Sequence, residues 1–176
     1  NRAVAVELKN GQRLYADIIV SNLDKQATFN GLLENHTLNE ADQEKVDAFT
    51  HQGAFVHMLF KLKRRPTYSA HLKNLNNIPG AYFGGAMVLD PSELQRSYET
   101  CLRGELPEHV PLAFQIPTIV DPTLAPPGFH IASAYGFYFP CEADKDKRGK
   151  LRDQMGEKLI DHICLYMPDF REVIVD

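Results

Sequence analysis

Asp121, His130 and Ser133 are the residue types of a hydrolytic triad, crowded into one loop and the strand-like run behind it. A triad needs a base that takes a proton from a hydroxyl and an acid that orients the base, and the three groups must converge in space. Residues this close along one loop and strand cannot choose that geometry freely, and no G-x-S-x-G elbow presents the serine. His57, inside the apolar run GAFVHMLFKL, is a second candidate base, although a hydrogen-bonded core or edge histidine is the ordinary role there. The seven histidines show no metal-ligand spacing, and Cys101, Cys141 and Cys164 lie far apart, so neither a metal nor a disulfide framework is expected. The chain also lacks G-x-G-x-x-G, a phosphate loop, H-E-x-x-H and C-x-x-C. Asn35-His36-Thr37 matches a glycosylation acceptor, which matters only in a secreted chain. These residues alone name no catalytic group.

Composition narrows the setting in which such groups would work. The chain has 176 residues, 44% hydrophobic and 24% charged, and a domain of this size buries roughly 70% of its unfolded surface without staples. No apolar run approaches the roughly 20 residues of a membrane helix, which excludes spanning and leaves peripheral membrane contact open. A formal charge of -4, with basic residues scattered among 23 acids, removes the electrostatic basis for gripping nucleic acid. Three cysteines, odd in number and far apart in the chain, fit a reducing, cytoplasmic compartment. Because the chain opens on Asn1 in a strand-like run and closes on the β-branched Arg171 to Asp176 with nothing to pair it, it looks like a piece of a longer protein.

The elements that would position these groups follow from periodicity and punctuation. Val4, Val6 and Leu8 alternate with Ala5, Glu7 and Lys9. Asn10-Gly11 then predicts a positive-φ hairpin turn, and Leu14 to Ser21 resumes an extended pattern. Asp24 predicts a cap for a short helix through Leu33, and Thr37-x-x-Glu40 a capping box for a helix to about Thr50. Gly53 to Leu62 reads as a central strand ended by the basic loop Lys63 to Pro66, and Ala81 to Leu89 as a strand marked by Gly84-Gly85. Asp90-Pro91-Ser92-Glu93 starts a helix that Gly104 stops. Pro111 to Val120, interrupted by Pro117, and His130 to Phe139 are further strands, separated by the proline-rich loop Asp121 to Gly128. Gly149 to Met167 is an amphipathic helix with Leu151, Met155, Leu159, Ile163 and Tyr166 on one stripe. The expected fold is α+β: a mixed or antiparallel sheet of about four to five strands covered on one face by helices, with the hairpin set apart.

Two segments resemble a known family. Asn10-Gly-Gln-Arg-Leu-Tyr-Ala-Asp17-Ile-Ile-Val-Ser21-Asn22-Leu-Asp24 is similar to the hairpin leading back to the nucleotide domain in flavin oxidoreductases of the phytoene-dehydrogenase and amine-oxidase type. Ile116-Pro-Thr-Ile-Val-Asp121-Pro-Thr-Leu-Ala-Pro-Pro-Gly128-Phe-His130, with the strand ending Tyr138-Phe139-Pro140 and the helix ending Tyr166 to Phe170, resembles one branch of that group. That branch is the phytoene-dehydrogenase-like proteins related to pyridine-nucleotide-disulphide oxidoreductase domain-containing flavoproteins. Glu34 to Asn77 matches only in general character.

The resemblance implies residues 1–22 as the hairpin edge of a flavin-binding domain and 23–176 as a substrate-binding domain. It implies FAD in the full-length protein and none in this chain, which lacks the Gly-rich pyrophosphate loop and is not expected to catalyse anything alone. In the whole protein a hydride would pass from an apolar small-molecule substrate to flavin. Ser21, Asn22 and Asp24 are the expected cofactor-proximal residues, with a strand end and helix cap as the local alternative. Tyr82, Phe114, Tyr135, Phe137 and Tyr138 are expected to line substrate, since strand alternation cannot send every aromatic into one core. Asp121, Pro122, Pro126, Pro127 and Gly128 are expected to form a rigid loop in which Asp121 accepts a backbone amide. An exposed sheet face would also leave homo-oligomerisation open. The rival from another class is a stand-alone α+β protein-interaction module.

Overall fold

The structure is a computed structural model that describes residues 2–33, 38–49, 53–142 and 144–175. The chain forms two compact units, residues 1–50 and 51–176.

The first unit carries a hairpin, β1 (Ala5–Glu7) and β2 (Arg13–Tyr15), with Val6 opposite Leu14. Gly11 alone takes the left-handed conformation, φ 83°, so the turn is a wider loop than the Asn-Gly pair predicts. The extended pattern after Tyr15 forms no ladder, and Ile18 and Val20 are exposed. Asp24 caps a short helical segment, Ala27–Leu32, by accepting the Ala27 amide at 2.9 Å. Helix α1 (Glu40–Asp47) begins two residues later than the Thr37 box predicts, because the Asn39 side chain accepts the Asp42 amide at 2.9 Å and caps it there. Thr37 and the Asn35-His36-Thr37 sequence lie outside the described residues.

The second unit is built on a four-stranded antiparallel sheet. Its strands are β3 (Ala54–Leu62), β4 (Gly85–Met87), β5 (Leu112–Gln115) and β6 (His130–Phe139), ordered β3-β6-β5-β4. The fold is α+β, as the sequence predicts. β3, predicted as central, stands at the edge of the sheet. The C-terminal residues predicted to lack a partner pair with it: Val175 donates to the Lys61 carbonyl at 2.8 Å and Lys63 to Val173 at 2.9 Å. The predicted strands at Ala81 to Leu89 and Pro111 to Val120 shrink to β4 and β5, since helical turns at Pro79–Tyr82 and Pro117–Ile119 take the flanking residues.

Helices cover one face of the sheet. Helix α2 (Pro91–Leu102) starts at Asp90, whose carboxylate accepts the Ser92 and Glu93 amides. Helix α3 (Lys145–Tyr166) starts before the predicted Gly149 because Asp144 caps it, accepting Asp146 and Lys147 amides at 3.0 and 2.9 Å. Met155, Leu159 and Ile163 of α3 are buried, together with Phe60, Leu62, Leu112, Phe114, Ala132 and Ala134 of the sheet. The short helix α4 (Phe170–Val173) sets the Phe170 ring edge-on to Phe60 and Phe114. At Gly136 the packing leaves no room for a side chain: a Cβ there would sit 2.9 Å from both Leu159 and Val110. Burial also pushes the His162 and His130 imidazoles below the ordinary histidine range, the latter with help from Arg65.

Candidate functional site

The opposite face of the same sheet carries no helix of its own among the described residues. On β3 every second residue, Phe55, His57, Leu59 and Lys61, points away from α3. Opposite them on β6 stand Phe137, Tyr135, Ser133 and Ile131. Ala113 and Gln115 of β5 continue the Tyr135 and Ser133 rows. Phe55 and Leu59 are 59% and 64% exposed, while their neighbour Phe60 on the covered face is 4% exposed.

An aromatic row runs across this face. The His57 and Tyr135 rings stack 4.0 Å apart at 5°, and Phe55 leans on Tyr135 at 5.6 Å. His57 Nε2 lies 2.9 Å from Ser133 Oγ, so the hydroxyl and the imidazole fix each other. At the far end the Lys61 ammonium sits 4.6 Å over the Phe129 ring. The Asp121 to Gly128 loop rises beside this end. Ala125 and Pro126 line a shallow cavity of about 390 Å³ with Leu59, Lys61 and Ile131. The loop is held as the sequence predicts: Asp121 Oδ1 accepts the Thr123 amide at 3.0 Å and its hydroxyl at 2.6 Å, and Gly128 takes φ 85°. Such a surface offers flat aromatic and aliphatic contact with a few polar groups that orient a ligand. No carboxylate lies among these face residues, and His57 is their one candidate base.

The sequence-predicted residues separate. Tyr135 and Phe137 lie on the open face. Phe114 and Tyr82 lie in the core, where Tyr82 donates to Asn76 Oδ1 at 2.8 Å. Tyr138 sits at the register shift facing Ala54 and Phe55, with φ 63°. This bulge turns its ring toward Tyr98, 5.8 Å away, instead of along the aromatic row. The Asp121, His130 and Ser133 triad does not form. Asp121 is committed to Thr123, His130 Nδ1 pairs with Thr118 Oγ1 at 3.0 Å, and Ser133 pairs with His57. Alternation along β6 explains it, because His130 and Ser133 point to opposite faces. In the first unit Asp24 caps its helix and Ser21 Oγ bonds Thr28 Oγ1 at 2.8 Å, while the Asn22 side chain is exposed. Phe55, Leu59 and Ile131 were not singled out from the sequence, and His57 only as a candidate base inside its apolar run. The usable signal was that a strand apolar at both parities must put half its apolar residues on a second face.

No family model matches the chain. It is 25% identical over 180 residues to pyridine nucleotide-disulfide oxidoreductase domain-containing protein 2 of Mus musculus, covering 99% of this chain and 31% of that protein. The protein of the same name from Rattus norvegicus is 25% identical over 183 residues, with 99% and 31% covered. The chain therefore spans about a third of the length of the curated relatives it matches. The relationship is a distant one to an oxidoreductase-domain protein. No helix among the described residues is long and apolar enough to cross a membrane.

Proposed function

We propose that this chain forms the substrate-facing wall of a flavin-dependent oxidoreductase of the phytoene-dehydrogenase-like kind. The observation that carries the reading is the open sheet face. Phe55, Leu59, Tyr135, Phe137 and Ile131 form an apolar surface on a rigid sheet, bounded by the Pro126 loop, and the distant relatives are named as oxidoreductases. The ligand class that suits such a wall is an apolar small molecule, held by area and aromatic contact and oriented by His57, Ser133 and Lys61.

The residues present do not make a holder for FAD. Ser21 and Asp24 are spent on local bonds, and the sequence has no Gly-rich pyrophosphate loop. In this proposal the flavin is bound by other parts of a longer protein, with the exposed Val6, Leu14, Ile18 and Val20 of the hairpin unit packing into that flavin-binding domain. Flavin supplies hydride acceptance; this chain excludes water from one side of the substrate and fixes its orientation. The full gene product is expected to purify with one FAD, whose absorbance bleaches anaerobically on adding an apolar hydride donor. A Leu59→Asp variant of that protein should raise KM for the donor with its flavin content unchanged. A gene product without flavin overturns the oxidoreductase reading, and an unchanged KM removes the open face from it.

A further inference from the structure

We propose that Glu93, His109 and His162 form a binding site for one divalent cation of the zinc class. The three residues come from α2, the loop behind it and α3, and one ligand atom of each lies within 4.8 Å of the others. The site lies in the helix layer, so it is independent of the open sheet face and of the function proposed for it.

One buried imidazole here lacks any hydrogen-bond partner among the described residues, and a buried carboxylate beside it is in no ion pair among them. His162 is 2% exposed, and neither its Nδ1 nor its Nε2 has a hydrogen-bond partner among the described residues. An imidazole carries one donor and one acceptor, and leaving both unmet in the interior is a cost that native structures rarely carry. Glu93 is 3% exposed, and none of the ion pairs among the described residues involves it. Buried carboxylates are ordinarily paired or bound to a metal. A cation between the three side chains answers both needs, meeting one His162 nitrogen and compensating the Glu93 charge.

The surroundings hold the donors in place. Glu93 Oε2 accepts the Leu89 amide at 2.8 Å, which orients the carboxylate and leaves its other oxygen for an ion. Asp90 caps the same turn of α2, and Lys158 of α3 donates to the Glu108 carbonyl at 3.3 Å, tying the loop beside His109 to the helix that carries His162. The His162 ring is stacked on Tyr166 and met edge-on by His109. Two imidazoles and one carboxylate are the borderline nitrogen and oxygen donors that suit Zn²⁺ and Co²⁺, with a further position open to water. Bonds of about 2.0 to 2.2 Å would draw the donor atoms together by about an ångström, within reach of side-chain rotation. The sequence does not show this set because its members are far apart in the chain and share no motif.

Cobalt titration of the full chain tests the site, since Co²⁺ in a nitrogen and oxygen site of low coordination gives visible d–d bands. The expected result is saturation at one equivalent, displacement by Zn²⁺, and a higher melting temperature with Zn²⁺ that EDTA reverses. His109 is half-buried, so His109→Ala should fold, with an EDTA-treated melting temperature close to that of the parent. It should lose cobalt affinity by more than about 100-fold, because changes even outside the ligand shell cost about 10- to 100-fold. Absence of the bands, unchanged affinity in His109→Ala, or sulfur charge-transfer absorption showing that the cysteines hold the ion would each overturn the proposal.

Discussion

Leu59 and Phe60 are neighbours on β3, yet one is 64% exposed and the other 4%. That pair marks the difference between two faces of one sheet. The covered face meets α3 and α4 in interlocked contacts, down to a glycine whose missing side chain is required. The open face is almost as apolar, but its aromatic row stacks His57 and Phe55 on Tyr135 and leaves Phe55 and Leu59 more than half exposed. Hydrophobicity alone therefore does not locate the core of this unit. What distinguishes the faces is which one the helices reach, and that follows from where Asp90, Asp144 and Asp169 start α2, α3 and α4.

If the covered face holds the fold, the largest loss should come from its centre. Phe170 is fully buried, with ring contacts to Phe60 at 5.2 Å and Phe114 at 5.6 Å. Phe170→Ala is expected to cost about 3 to 5 kcal/mol, measured by urea unfolding. A change under about 1 kcal/mol would mean that α4 is not part of the core. Gly136→Ala, by contrast, adds volume. The new methyl would meet Leu159 and Val110 at 2.9 Å and Met155 at 3.2 Å, and overpacking of this kind costs about 1 to 3 kcal/mol. Equal stability of Gly136→Ala and the parent would show that α3 can move away from the sheet.

The covered face was the more legible of the two in the sequence. Asp90-Pro91 with Gly104 gave α2 nearly to the residue, because a cap, a first-turn proline and a left-handed glycine are local signals. His130 to Phe139 matched β6 at both ends, since a glycine precedes it and a proline follows. β3 was found as a strand but placed centrally, because its apolar residues at both parities resemble burial on both sides. Tyr82 and Phe114 were expected at a ligand because an aromatic type says nothing about which way a strand faces. Phe114 shares its inward parity with Leu112, and that parity is set by pairing with Ala134, a long-range contact invisible in local pattern. Glu93, His109 and His162 were missed for the same reason.

At the loop that rims the open face, Asp121→Ala should destabilise by about 0.5 to 2 kcal/mol, the usual loss for a side chain that caps a helical turn. Thermal unfolding checks it, and an unchanged midpoint would show that the prolines alone hold the loop. Acid should act on the covered side in two steps. Burial, then Arg65, lowers the His130 pKa, so the unfolded chain takes up a proton near pH 6.5 that the folded chain refuses, and stability falls as pH drops below that value. Burial pushes the Asp169 carboxyl upward, but the Thr67 amide and Arg64 outweigh it and lower its pKa. Its contribution is present above about pH 3.9 and is lost as pH falls further. His130→Gln should shrink the first step and leave the second. Some of the first step should remain, because burial also lowers the His162 pKa. A pH profile identical to the parent would remove His130 from this account.

The smallest effect on stability is expected where the exposed apolar side chains lie. Phe55→Ser and Leu59→Ser each remove a side chain that is more than half exposed, so little buried area is lost, and unfolding free energies should stay within about 0.5 kcal/mol of the parent. Leu59 also lines the cavity with Ala125, Pro126 and Ile131, so its replacement takes apolar surface from the place where the face becomes concave. Binding of a hydrophobic fluorescent dye, and any concentration-dependent association seen by analytical ultracentrifugation, should therefore fall in the double variant while the melting temperature holds. The reverse pattern would break the comparison. A large loss of stability with unchanged dye binding would mean that Phe55 and Leu59 support the fold and that the two faces of the sheet do not divide structure from binding.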